Sequence, residues 1–327
     1  MSSSGIKSLH LKDLFSDIFR KHSKTEIEDL FICGTEKTTP SERSMIASWP
    51  KPWLHSRIFA VLAVLSILVL ATMSLLSDSS IMPALIVFSS VTVSFSLMVF
   101  FWECNVPRNI SIFYCVVLFL IGGIVLTFLS ELIPITNVIR DQTVSYILLA
   151  VYQEILQTAV ILFFIMQKRP RYILNGICIG AAVSCGFACY LFMGNLYFYN
   201  ADQTGALILD GQTLHFFYQL ALMSAARLLW GVMEGAGLAA ASDGKPFELS
   251  MLKDIRFLRM FIAAVVLHSL YFLPFTEHGS IRIIKWAFLI LSFAIVLTQL
   301  SAGLRQAVSI SNAAWEADAA LTDELEE

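Results

Sequence analysis

Hydrophobic residues run along this chain in long unbroken blocks rather than with the period of an amphipathic helix or strand. Eight blocks, 58–76, 81–101, 110–129, 146–166, 172–193, 217–241, 258–275 and 283–301, approach or reach the length that crosses a bilayer. A helix rises about 1.5 Å per residue, so about 20 residues span the hydrocarbon core. No water satisfies backbone amides and carbonyls there, which restricts such runs to helices. The pattern predicts an all-α, polytopic membrane helix bundle of about eight transmembrane helices.

The polar stretch before the first block carries helix signals of its own. Leu11, Leu14, Phe15, Ile18 and Phe19 recur at helical spacing, which predicts a short amphipathic helix. Ser23 and Glu26 have the spacing of a capping box, and Gly34 suits a helix stop. Thr39, Pro40 and Glu42 repeat the start signal. The expected organisation is a cytoplasmic helical lead-in over 1–56, a membrane domain over 57–303 and an acidic cytoplasmic tail over 304–327. The opening MSSSGIKSLHLKD has no apolar core, so no cleaved signal peptide is expected.

Orientation follows from where Lys and Arg fall in the short connections. Lys51 and Arg57 precede the first block; Lys168, Arg169 and Arg171 lie between the fourth and fifth, and Lys245, Lys253, Arg256 and Arg259 between the sixth and seventh. The loops expected on the other side, 77–80 and 194–216, contain neither; Arg140, Arg282 and Lys285 are the exceptions. Both termini are therefore expected in the cytoplasm. Composition agrees with a membrane protein: 57% of the 327 residues are hydrophobic and 14% charged. A net charge of −3 without a basic stripe argues against a nucleic-acid partner. The six cysteines form no Cys-x-x-Cys pair and lie mostly in or beside apolar blocks, where they read as small packing residues. Cys178, Cys185 and Cys189 fall on one helical face.

Ionisable groups at bilayer depth are costly, and each is a functional-site candidate by default. Glu154 lies near the middle of the fourth block, between Gln153 and Gln157. Arg227 lies in the sixth with Glu234 two turns later, and His268 lies in the seventh. Each also has a structural reading, as a paired group holding the bundle together. For Glu154 the two readings are balanced.

The order and spacing of these residues resemble the PrsW family of bacterial intramembrane metalloproteases, relatives of the CAAX-processing and bacteriocin-protection membrane proteases. That family has a Glu-Glu-x-x-Lys motif on one span and a glycine-rich run ending Gly-Phe-Ala-x-x-Glu on the next. Two His-x-x-Trp-like motifs follow. Here Gln153-Glu154-Ile155-Leu156-Gln157 stands at the first motif, and Gly180 with Gly186-Phe187-Ala188-Cys189-Tyr190-Leu191 at the second. Arg227-Leu228-Leu229-Trp230 stands at the third and His268-Ser269-Leu270-Tyr271-Phe272 at the fourth. The lead-in, with Phe31-Ile32 and Gly34-Thr35, and the stretch from Trp102 to Ser111 resemble the family as well.

The resemblance implies an integral protein of the bacterial cytoplasmic membrane that acts on membrane-anchored protein substrates or partners, with zinc as cofactor if the site is active. Glu154 and His268 remain as catalytic candidates and as the only metal ligands in place, with Cys185 or Cys189 as possible stand-ins. Gln153, Gln157, Leu191 and Arg227 mark substituted motif positions. Arginine cannot ligate, because it has no lone pair to offer and stays charged. No metal is therefore expected, and Arg227 is expected to form a buried ion pair with Glu154 or Glu234 where a metal would sit. Three functions stay open: a pseudoprotease that binds or regulates membrane proteins, an active protease using Glu154 and His268, and a small-molecule or ion-handling protein.

Overall fold

The apolar blocks become eight long helices in a computed structural model that describes residues 16–23, 26, 34, 38–45, 50–76, 79–202, 211–246, 248–273 and 283–326. They are α1 (Leu54–Leu76), α2 (Met82–Glu103), α3 (Ile112–Glu131), α4 (Gln142–Lys168), α5 (Ile173–Asp202), α6 (Gly211–Ser242), α7 (Ile255–Tyr271) and α8 (Ile283–Glu326). No strand occurs among the described residues. The protein is a polytopic membrane helix bundle.

Seven of the eight are long and apolar enough to cross a membrane; α7, with 17 residues, falls just short of that measure. The block expected over 258–275 is shifted and shortened for local reasons. Asp254 caps the helix by accepting a hydrogen bond from the Arg256 amide at 2.8 Å, which starts α7 ahead of the apolar run. Pro274 disfavours helix in the residue before it, and α7 stops at Tyr271.

Helix α5 is the centre. Of its span 83% is buried, against 6% for α1, which leans chiefly on α2 and turns the rest of its apolar surface outward. Lipid tails give no hydrophobic drive between helices, so close approach of backbones must supply the packing. Glycines on two faces of α5 permit it. A Cβ on Gly176 would stand 2.1 Å from the Gly235 carbonyl of α6, and one on Gly180 2.2 Å from the Gly231 carbonyl. On the other face a Cβ on Gly186 would stand 1.9 Å from the Phe119 carbonyl of α3.

Glu103 fixes the start of the first span. Its carboxylate, at the end of α2, accepts hydrogen bonds from the backbone amides of Trp53, Leu54 and His55 at 2.8, 2.8 and 2.9 Å. Those are orphan donors of the first turn of α1, and a carboxylate also suits the positive end of the helix. A buried asparagine trio joins the α2–α3 loop to α5: Asn175 donates to Asn105 at 2.9 Å and to Asn109 at 2.6 Å.

In the lead-in, Ser23 and Glu26 form the expected reciprocal capping box, at 2.8 and 3.2 Å. Residues up to 15 lie outside the described ones, and Ile18 and Phe19 occupy a turn. The start signal at Thr39, Pro40 and Glu42 leads into turns over 41–45, because Glu42 is engaged elsewhere, by Arg171 and Tyr172. Gly34 adopts φ +90, and a Cβ there would meet the Ser111 backbone nitrogen at 2.3 Å, so close approach to the α2–α3 loop requires it.

Helix α8 has 44 residues and continues without a break across the expected boundary at 303/304. At about 1.5 Å per residue it is roughly twice as long as a bilayer core is thick. Gln306 accepts from the Ile173 amide at 2.8 Å, Arg43 stacks on Trp315 at 3.9 Å, and Arg43 pairs with Asp318 at 2.9 Å. These contacts gather the lead-in, the α4–α5 connection and the end of α8 at one end of the bundle.

Candidate functional site

The polar face of α4 turns inward, toward α6 and α7. Gln153, Glu154, Gln157 and Thr158 are all buried, as are Arg227 and Glu234 on α6 and His268 on α7. His268 Nδ1 lies 2.5 Å from Glu154 Oε1, a buried carboxylate–imidazole pair joining α4 to α7. The imidazole stacks on the Trp230 indole, with ring centroids 4.4 Å apart and planes 20° apart. The indole donates in turn to Ser292 on α8 at 3.2 Å. The amide of Gln157 bridges two carboxylates, donating to Glu154 Oε2 at 3.3 Å and to Glu234 Oε2 at 3.2 Å.

Arg227 is placed differently from the sequence expectation. It donates to Gln153 Oε1 at 2.8 Å, and its guanidinium carbon lies 5.3 and 5.4 Å from the ring centres of Phe187 and Phe272. It makes no ion pair with Glu154 or Glu234, although Glu154 remains within its electrostatic range. The expected Arg227–Glu154 or Arg227–Glu234 pair is thus replaced by an arginine–amide bond. The cause is helical: adjacent residues on α4 point about 100° apart, so Gln153 meets α6 while Glu154 meets α7. Leu191, one turn beyond Phe187 on α5, contributes only an apolar side chain.

The cysteines play no part in this cluster. Cys185 is buried, Cys189 donates to the Ser90 carbonyl at 3.3 Å, and Cys178 Sγ lies 3.5 Å from Cys115 Sγ. Sequence reasoning did not single out Thr158, Ser184 or Ser292. A single hydroxyl in an apolar run carries no periodic signal, and only the neighbouring helices reveal its position.

These helices form a polytopic membrane bundle with a buried carboxylate–imidazole pair between two of them. A family model describing the PrsW family intramembrane metalloproteases matches residues 110–299, more than half of the chain, and the chain belongs to that family. No curated protein and no solved structure matches it.

The family is one of metalloproteases, so the donor set can be compared with what a catalytic metal requires: three converging ligands and an open position for water. Among the described residues no group of three or more His, Cys, Asp or Glu is arranged to hold an ion. His268 Nδ1 is directed at Glu154, Gln157 occupies the space between the two carboxylates, and a permanent cation stands at the third motif. Among the described residues, the donor set around Glu154 and His268 does not fit a catalytic metal.

Proposed function

We propose that this protein is a non-catalytic PrsW-family member that binds or regulates other membrane proteins, with the interior of the protease bundle converted into a structural polar core. The observation that carries the reading is the Arg227–Gln153 bond beside the Glu154–His268 pair. Two motif positions that would serve hydrolysis instead bond to each other, and the two retained groups are engaged with each other. The proposed setting is the bacterial cytoplasmic membrane, with the lead-in over 1–56 and the tail over 304–327 on the cytoplasmic side of a membrane domain over 57–303.

The test pairs metal analysis with partner capture. Wild type and Glu154→Ala, purified without added metal, are expected to carry no stoichiometric zinc and to retain the same membrane-protein partners uncleaved. Stoichiometric zinc in wild type, or cleavage of a captured partner that Glu154→Ala abolishes, overturns the reading in favour of a working protease.

A further inference from the structure

Cys115 on α3 and Cys178 on α5 are buried, and their sulfurs lie 3.5 Å apart. Neither is part of a disulfide. The other buried thiols of α5 are placed differently. Cys189 is turned to the Ser90 carbonyl of α2 at 3.3 Å, and Cys185 neighbours both Cys189 and Cys115.

A disulfide is about 2.05 Å long, so joining the two sulfurs takes a closure of about 1.5 Å. Side-chain rotation supplies that where the backbones already lie close, and here they do. Two turns beyond Cys115, a Cβ on Gly122 would stand 2.9 Å from Val183 Cα, and one on Gly186 would stand 1.9 Å from the Phe119 carbonyl. Helices α3 and α5 are in backbone contact along the stretch that follows the cysteines.

The thiolate is the reactive form of cysteine, and helix N-termini and cations favour it. Cys115 is the fourth residue of α3 and Cys178 the sixth of α5, roughly 5 and 8 Å from the helix starts. The Lys168 ammonium stands 4.5 Å from the Tyr114 ring centre, and Tyr114 neighbours both sulfurs. We propose that Cys115 and Cys178 are an oxidation site, where a peroxide turns two thiols into a disulfide joining α3 to α5. The thiolate of one cysteine attacks a peroxide oxygen; the O–O bond breaks, leaving a sulfenic acid and, once protonated, water. The second thiol attacks the sulfenic sulfur; the S–S bond forms, the S–O bond breaks and another water leaves. Two electrons pass from the sulfurs to the peroxide, so two thiols and hydrogen peroxide give one disulfide and two waters. The bond joins residues 63 apart in sequence and encloses all of α4, with Gln153, Glu154 and Gln157. The site is separate from the Glu154–His268 cluster and independent of the proposed function.

Mass spectrometry tests the site. The full-length, reduced protein in lipid nanodiscs is treated with hydrogen peroxide, its remaining thiols are alkylated, and the digest is searched for linked peptides. The expected product joins the Cys115 and Cys178 peptides, two hydrogens lighter than their sum, and dithiothreitol returns both. Cys185→Ala, which removes the other neighbour of Cys115, is expected to leave the yield unchanged, whereas Cys178→Ala abolishes the product. If Cys178→Ala does not fold, Cys115→Ala carries the same test. Alkylation of both cysteines after peroxide treatment overturns the site. So does a sulfinic acid at either sulfur in place of the link, or a link from Cys115 to Cys185.

Discussion

Arg227 and Gln153 offer a direct measurement of how α6 is tied to α4. The 2.8 Å bond is charge-assisted and buried. Arg227→Met keeps the length of the side chain but strands Gln153 Oε1 and removes a positive charge near Glu154. Leaving a buried acceptor unsatisfied costs about 1–3 kcal/mol, and breaking a buried charged contact can cost about 3–5. Hydrogen bonds inside membrane bundles measure less, about 0.6 kcal/mol on average and about 1.7 at most. The membrane value governs the coupling, because the unfolded protein in a bilayer also finds partners. We therefore expect Arg227→Met to destabilise by about 2–4 kcal/mol. Gln153→Leu should cost less, and their coupling in a double-mutant cycle should be about 0.6–1.7 kcal/mol. Equilibrium unfolding in mixed detergent micelles gives all four corners of the cycle. Additive behaviour within about 0.5 kcal/mol would refute the reasoning, since that is the scatter for non-interacting sites.

Three other perturbations follow from the packing and the caps. Gly235→Ala places a methyl 2.2 Å from the Gly176 carbonyl; α5 and α6 must separate, and a loss of about 1–3 kcal/mol or more is expected in the same unfolding assay. Glu103→Gln removes the charge that gathers the amides of Trp53, Leu54 and His55, at a cost of roughly 1–2 kcal/mol, read as faster amide hydrogen exchange at those residues alone. Asp254, hydrogen-bonded by the Arg256 side chain and amide, has its carboxyl held below the usual range. Its cap on α7 is therefore intact above the ordinary aspartate value and lost as pH falls through the lowered one. Asp254→Ala should remove that acid-side step in helix stability while leaving neutral and basic pH behaviour parallel.

Much of this architecture is legible in the sequence because the bilayer imposes a coarse grammar. Apolar blocks must be helices, and Glu154 and His268 announce themselves because a titratable group at depth needs a partner. Their pairing across α4 and α7 is not readable, since it depends on how each helix is rotated against its neighbours. Charge alone suggested Arg227 for Glu154, whereas rotation gave Arg227 to Gln153 and His268 to Glu154. The turn at Glu42 shows the same limit: a valid start signal yields to Arg171 and Tyr172, more than a hundred residues away in sequence. Gly231 and Ser184 look ordinary in the chain, and their close contact across α5 and α6 exists only in the packed bundle.

A catalytic metal does more than chemistry, because it crosslinks the helices that ligate it and adds its binding energy to the native state. On the proposed reading that crosslink has protein substitutes. Glu154–His268 ties α4 to α7, Arg227–Gln153 ties α6 to α4, and Gln157 joins α4 to α6 a second time. The stability of the bundle should then be indifferent to chelation. Ethylenediaminetetraacetate, which binds divalent cations, is expected to leave Tm unchanged in wild type. A bundle held by zinc at a hundred times its dissociation constant would instead forfeit about 2.7 kcal/mol. A loss of that size corresponds to several degrees in Tm, well within the reach of a thermal scan. Such a drop, reversed by added zinc, would mean that the Glu154–His268 pair opens to take a metal and that the polar core is a ligand site after all.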